Sequence, residues 1–463
     1  VYRLLLLLFI GQCFFCRHLQ AKEIPISDSG YYYVHDIVFS GNQITKSQII
    51  VREMSFHAGD SIRKADLKEE LIYNRRRILN LQLFSSVRFA VNETYNDSID
   101  ITFYVTEVLY WVPHPIFSLA DRNINVWWKE QHHAADRTNI GLELTRMNFR
   151  GRNERIGGTA QLGYNKFFDL YYKVPYIDKI LKRGLGLSFT YATGRETSVN
   201  TIHNKLAFYR NEEYPYRQFQ TELTYTYRPA YSFVHEANLS YNSYSISDGL
   251  YTQNPNYLNG KRKLNYFEFK YTIGFNNTDI RIYPLNGLEA RLFFSKKGLG
   301  IDKDVNQTSL RTEISYFQKA GRFLSAAFVF RGRLSSANRQ PYILSRALGF
   351  RNEYLRGYEY YVIDGSHYAL FRSNIRFRII DKVIKQNVIK FMHLIPLRFY
   401  AKVYYDMGYV YSRHPGNNRF NNTFLNGYGV GLDIVISYYA RFRIEYSFNH
   451  LGQNGLFLHG NKE

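Results

Sequence analysis

From Arg137 to His450 the chain repeats one pattern. Runs of about ten residues alternate apolar and polar side chains, and each run stops at Gly, Asn, Asp or Pro. RTNIGLELTRMNF, HNKLAFYRN, KLNYFEFKYTIGF and PLRFYAKVYYDMGYVY are examples. A period of two gives each strand one apolar and one polar face. Fifteen such runs are readable, with a weak sixteenth in GLFLHG. Two architectures accept that pattern: a large extracellular sandwich, or a transmembrane barrel with its apolar face in lipid. Tyr and Phe number 42 and 35 and bring the aromatic share to 17%, yet mean hydropathy is −0.36. Many strand formers with little average apolarity suit a barrel.

The strand lengths agree, because a tilted membrane strand needs about 9–11 residues. Lipid offers no partner to an open sheet edge, so the sheet must close. Bacterial barrels usually close on an even number, which makes sixteen strands the expectation, over residues 112–463. Aromatics near strand ends read as interfacial anchors and favour the barrel over the sandwich. DKVIKQNVIKFMHL, from Asp381 to Leu394, interrupts the pattern; it fits a short surface helix or a long turn equally well. YTQNPNYLNGKRK, from Tyr251, reads as a polar external loop.

The chain opens VYRLLLLLFIGQCFFCRHLQAKE, with one Arg before a short apolar run and Gln20-Ala21 before Lys22-Glu23. That outlines a secretory signal over residues 1–21. Cys13 follows the bulky Gln12, unlike a lipid-attachment cysteine. Cys13 and Cys16 are the only two cysteines, so disulfides and thiolate metal sites are not expected beyond the leader. After it, no stretch reaches the roughly 20 apolar residues of a membrane helix. The expected location is the outer membrane of a Gram-negative envelope. The net charge of +21 raises the question of nucleic acid. Arg and Lys are spread through aromatic strands, as in RFRIEYSF, so a basic lumen or a rim facing anionic lipid headgroups is expected and nucleic acid is not.

Residues 33–107 read as a separate α+β unit. VHDIVFSG is a strand with imperfect alternation at Val34, Ile37 and Phe39, and Thr45 is a candidate cap for a short helix reaching Met54. Leu67, Leu71, Ile78 and Leu81 mark one face of a second helix. SVRFAV and IDITFYV are strands joined by a turn containing Asn96-Asp97. The order is strand, helix, helix, strand, strand, with one sheet edge left open. An open edge suits an extended peptide and equally suits a passive spacer.

VFSGNQIT, RRILNLQLFSSVRF and IDITFYVTE together resemble a POTRA domain, with Gly41 at the turn after the first strand and Leu83-Phe84 before the second. RNEYLRGYEYYVIDG, between the eleventh and twelfth strands, carries an aliphatic-Arg-Gly-aromatic tetrad: Leu355, Arg356, Gly357 and Tyr358. An aromatic-x-Asp-x-Gly motif follows on the thirteenth strand, with Tyr404, Asp406 and Gly408. The two motifs resemble those of the BamA-like, two-partner-secretion outer-membrane superfamily. WVPHPIFSLADRNINVWW is similar to its barrel-entry region, and IGFNNTDIRIYPLNG to its mid-barrel segment. The resemblance implies that the loop folds into the lumen and that Arg356 pairs with Asp406, with Asp364 and Gly365 as secondary loop positions. It implies no cofactor, no metal and no catalytic residue. Two features depart from the family: no acid lies near Ile375, which leaves Asp406 as the sole wall partner, and FLHGNKE lacks a terminal aromatic, so the last strand is short and the seam open to question.

The implied function is insertion or translocation of proteins at the outer membrane. An unfolded or extended client would meet the POTRA-like unit, with periplasmic or lipoprotein partners nearby. The rival is a channel or structural subunit of an envelope complex. Enzymatic candidates are weak. Ser366 and His367 are adjacent and so face opposite ways on a strand, and His132-His133 near Asp136 reads as a solvated loop.

Overall fold

The computed structural model describes residues 30–120, 124–129, 131–211, 213–300, 305–336, 340–350, 353–385, 394–436 and 440–460. The leader expected over residues 1–21 lies outside the described residues. The first unit contains β1 (Tyr31–Ser40), α1 (Ser47–Val51), β2 (Ser61–Arg63), α2 (Leu67–Leu79), β3 (Phe84–Glu93) and β4 (Ser98–Glu107). Its sheet order is β2-β1-β4-β3, with β1 parallel to β4.

A bulge explains the poor alternation of β1. Val34 pairs with Ile99 and Asp36 with Asp100, so His35 is an extra residue. The extra residue switches the inward phase, and Val34, Ile37 and Phe39 all reach one core. Ile49, Ile78, Leu83, Ile101 and Phe103 fill the rest of it. Asn96 and Asp97 both take positive φ in the β3–β4 turn, a conformation that Asn and Asp tolerate better than most residues. The sequence pattern misses β2, which is only three residues long and covers the start of β1. Beyond that cover, the two outer edges are β3 and the rest of β1. Thr45 does not cap α1; Lys46 holds that position without a side-chain bond. The Thr45 hydroxyl instead bonds Glu107, Tyr110 and Asn148.

The second unit is a sixteen-stranded antiparallel barrel sheet. It opens with β5 (Trp111–Leu119), β6 (Thr138–Phe149), β7 (Glu154–Gly163), β8 (Asn165–Val174) and β9 (Arg183–Gly194). A separate hairpin follows, β10 (Glu196–Ile202) with β11 (Lys205–Arg210). The sheet resumes with β12 (Tyr216–Tyr227), β13 (Phe233–Ile246), β14 (Lys263–Asn276), β15 (Gly287–Lys297), β16 (Gln307–Ala320) and β17 (Leu324–Ser335). A long loop holds the short pair β18 (Arg346–Leu348) and β19 (Ile363–Asp364). The sheet ends with β20 (His367–Lys385), β21 (Leu394–Tyr411), β22 (Leu425–Ile436), β23 (Ala440–Asn449) and β24 (Asn454–His459).

The number sixteen stands, but two strands differ from the sequence reading. HNKLAFYRN is no barrel strand: its core forms β11, which pairs only with β10. Trp111–Leu119, read as a junction, is the first strand and pairs with β6 along its whole length. Its two prolines hide it from an alternation search. Pro113 and Pro115 have the same parity, so the donors they lack fall on one edge. The ladder to β6 runs unbroken from Trp111 to Leu119, which puts those lost donors on the other edge. No ladder joins β5 to β24 among the described residues.

Burial identifies the two faces. On β20 and β21, Ile375, Phe377, Val403, Tyr405 and Met407 are exposed, while Arg372, Asn374, Arg376, Lys402, Tyr404 and Asp406 are buried. Apolar outside and polar inside is the arrangement lipid demands. Asp381–Lys385 continues β20 and pairs back onto Leu394–Arg398, so this part of DKVIKQNVIKFMHL is strand rather than helix. Residues 386–393 lie outside the described residues. No described helix is long and apolar enough to cross a membrane. The Tyr251 loop is not merely polar. Its helix α3 (Asp248–Gln253) and the turn after it bury Leu250, Tyr257 and Leu258 against Val199 of β10 and Tyr342.

Candidate functional site

The β17–β20 loop enters the lumen. Leu355 and Tyr358 pack with Leu348, Ile363, Leu370 and Leu425 in a small apolar cluster. That cluster fixes both sides of Arg356, whose side chain is 3% exposed and faces Asp406, at 0%. The Arg356 Nε donates to Asp406 Oδ2 at 2.7 Å, and Nη2 donates to Oδ1. This is a two-bond fork, the geometry in which guanidinium and carboxylate match best. Nη1 donates to Asn374 Oδ1 at 2.7 Å and to Glu445 Oε1 at 3.3 Å. The guanidinium lies 3.9 Å from the Tyr404 ring centre. Every edge of the cation therefore meets an acceptor or a π face, which its burial requires.

Backbone shape makes the close approach possible. Gly357 has φ +88°, and a Cβ there would sit 2.7 Å from the Phe448 carbonyl oxygen. Its own carbonyl accepts from Asn449 Nδ2 at 2.7 Å. The facing strand β22 reads LNGYGVGLDIVI. A Cβ on Gly427 would collide with the Arg356 carbonyl oxygen, and one on Gly429 would come within 2.5 Å of the Tyr404 hydroxyl. Glycine at these lumen positions opens a slot for the loop tip and for the tyrosine beneath it.

The other loop and wall positions lie close by. Gly408 of β21 lies against Leu348 and Leu355, and Gly365 against Val410 and Tyr411. Asp364 pairs with Arg346, and its carbonyl accepts from Asn421 at 2.6 Å. Tyr358 hydrogen-bonds the ring of His450. The family motif names Asp406 but not Glu445, so Asp406 is not the sole wall partner. Lys402 Nζ links Glu445 at 2.7 Å to Asp433, and Tyr283 donates to Asp433 at 2.7 Å. A signal for these was present: in RFRIEYSFN the residues at Arg441, Arg443, Glu445, Ser447 and Asn449 are polar at every second position, all facing inward.

A second network binds the first unit to the barrel end. Glu53 receives Arg228 through two bonds, at 2.7 and 2.8 Å, and Arg52 at 2.8 Å. Burial pushes the Glu53 carboxyl up, but Arg228 and Arg52 outweigh it and hold the group below its ordinary value. Arg77 stacks 3.9 Å from the Tyr231 ring. Lys46 N donates to the Gly151 carbonyl at 3.0 Å. Arg52 also stacks 4.9 Å from the Tyr176 ring, so the turns after β6, β8 and β12 all carry the domain.

The enzymatic candidates gain little. His367 Nδ1 accepts from the Ser335 amide at 3.0 Å. His132 and His133 both take positive φ, and Asp136 pairs with Arg210 at 3.3 Å. Among the described residues no group of three His, Cys, Asp or Glu side chains could hold a metal.

A four-stranded α+β unit ahead of a sixteen-stranded lipid-facing sheet, with a loop arginine forked onto the lumen wall, defines an outer-membrane barrel with a POTRA-type domain. The chain belongs to the Omp85 superfamily: the Omp85 superfamily domain matches residues 148–455. The POTRA model, described as surface antigen variable number repeat, matches residues 32–108. Among solved structures the chain is similar to BamA from Haemophilus ducreyi lacking POTRA domains 1-3, at 15% identity and TM-score 0.54, over 93% of this chain and 85% of that one. It is also similar to CdiB from Escherichia coli, at 9% identity and TM-score 0.56, over 93% and 76%. These two likenesses carry the fold. No curated protein matches the chain.

Proposed function

We propose that this protein is an insertion or translocation factor for proteins of the Gram-negative outer membrane. The POTRA unit receives an extended client in the periplasm, on the β3 edge or the uncovered part of β1. Client then leaves at the seam between β5 and β24. The seam is the observation that carries this reading. One side is a strand robbed of two donors by Pro113 and Pro115, and the other is only six residues long. Few hydrogen bonds need to break for such a seam to open, and no bond-making chemistry is required. The loop centred on Arg356 keeps the lumen occupied meanwhile: the Asp406 fork holds it, Gly357 lets it meet the wall, and Leu355 and Tyr358 anchor its flanks.

The test is a disulfide across the seam, from a panel of cysteine pairs on β5 and β24 in a chain lacking Cys13 and Cys16. Cross-linking should stop client insertion, and reduction should restore it. Undiminished insertion by fully cross-linked barrel would remove the seam reading. A stoichiometric complex that never engages a client would instead favour the structural subunit.

A further inference from the structure

Below the Arg356 fork lies a cavity of about 240 Å³, bounded by β15–β17 on one side and β20–β23 on the other. Six cationic side chains on its lining are buried: Arg356, Arg372, Arg376, Lys402, Arg441 and Arg443. The buried acids on the same side are Asp406, Asp433 and Glu445, with Glu359 further off towards His459. Asp406 pairs with Arg356, and Lys402 pairs with both Asp433 and Glu445. The opposite wall does not redress the balance, since Arg281, Arg291 and Arg331 face Glu289 and Glu313 there. Counted over all these described residues, nine cations meet six carboxylates.

Arginine cannot relieve this excess by losing a proton. Like charges gathered on the wall of one cavity repel each other more strongly than charges spread over an open surface. Arg376 shows the consequence locally. It is 7% exposed, stacks 4.6 Å from the Tyr283 ring and gives Nη1 to the Pro284 carbonyl at 3.0 Å, while its buried Nε has no acceptor among the described residues. Ile282 and Pro284, which flank Tyr283, also line the cavity, with the exposed Arg281 beside them.

We infer that this cavity is a binding site for a phosphate-class oxyanion. Guanidinium forks converging from several strands match a tetrahedral dianion better than a halide. A free phosphate and a phosphorylated lipid headgroup share that chemistry. The inference stands apart from the seam reading, because it concerns the barrel wall at rest.

The test uses the full chain, refolded in detergent without lipid and melted in inorganic phosphate or in chloride at equal ionic strength. Phosphate should raise Tm by about 3 °C over chloride. Arg376→Gln should lose most of that increment. Equilibrium dialysis of radiolabelled phosphate on the wild-type barrel gives a readout that does not depend on any variant folding. A response to inorganic phosphate supports a small-anion ligand. A response confined to micelles containing lipid A supports the headgroup as its source. Equal melting in all three media, with no label retained, overturns the site.

Discussion

The ionic network in the lumen and the one at the domain junction are built on opposite plans. In the lumen, one arginine serves several acceptors: Arg356 reaches Asp406, Asn374 and Glu445 from three different strands. At the domain junction, one acid serves two arginines, and Glu53 has only Arg52 and Arg228 to balance it. The lumen network is set in a wall thinned by glycine and sealed by apolar packing. The junction network lies over exposed turns, helped by aromatic stacking and a few backbone contacts. The first plan keeps a charged loop fixed inside a membrane barrel. The second gathers its charge on one carboxylate and adds aromatic and backbone contacts beside it.

The sharpest way to break the contrast is to remove the lumen fork. Arg356→Ala or Asp406→Ala leaves a buried charge without its partner, a loss of about 3–5 kcal/mol that water in the lumen will reduce. Each should lower the temperature at which the folded barrel denatures in a gel-shift assay. The double variant should lose less than the two singles summed, because the second change removes an already orphaned charge. Strict additivity would show that the two groups act separately.

Gly427→Ala probes the same loop without touching a charge. Its Cβ would collide with the Arg356 carbonyl oxygen, so the loop tip must move. An arginine-specific protease added outside intact vesicles should then cut at Arg356, where wild type resists. Full resistance in the variant would mean that the wall yields instead of the loop.

Glu53→Gln should give a smaller effect confined to the junction. The barrel should denature at an unchanged temperature, while protease gains access to the segment between Glu107 and Trp111. Acid should do the same to wild type. The Glu53 carboxyl is held below its ordinary value of 4.5. Its contribution is therefore complete above that value and declines as pH falls towards the depressed folded value. Protection of the junction that persists unchanged below that range would place the attachment in the aromatic and backbone contacts.

The lumen loop is legible in the sequence because its two motifs are short, ordered and chemically complementary. Leu355 to Tyr358 and Tyr404 to Gly408 stand out as motifs, and it is their resemblance to the family's motifs that names Arg356 and Asp406 as partners. Glu445 and Lys402 go unnamed, because a polar residue at every second position marks a lumen face without saying which strand stands opposite. Strand number comes out right for a reason that conceals two errors. Prolines hide Trp111–Leu119 from the alternation pattern, while Lys205–Arg210 alternates well and pairs away from the barrel. The junction is illegible altogether. Arg228 lies 175 residues from Glu53, and neither has a local pattern that points to the other.

A protein that helps others enter or cross the outer membrane should speed their entry into a bilayer. Reconstitution tests it most directly: vesicles containing the full chain receive an unfolded barrel precursor from the same membrane, and protease protection follows its insertion. Vesicles with an unrelated barrel at equal density are the control. Insertion faster than the control, and slowed by closing the β5–β24 seam, is the predicted result. Equal rates in both kinds of vesicle would contradict it.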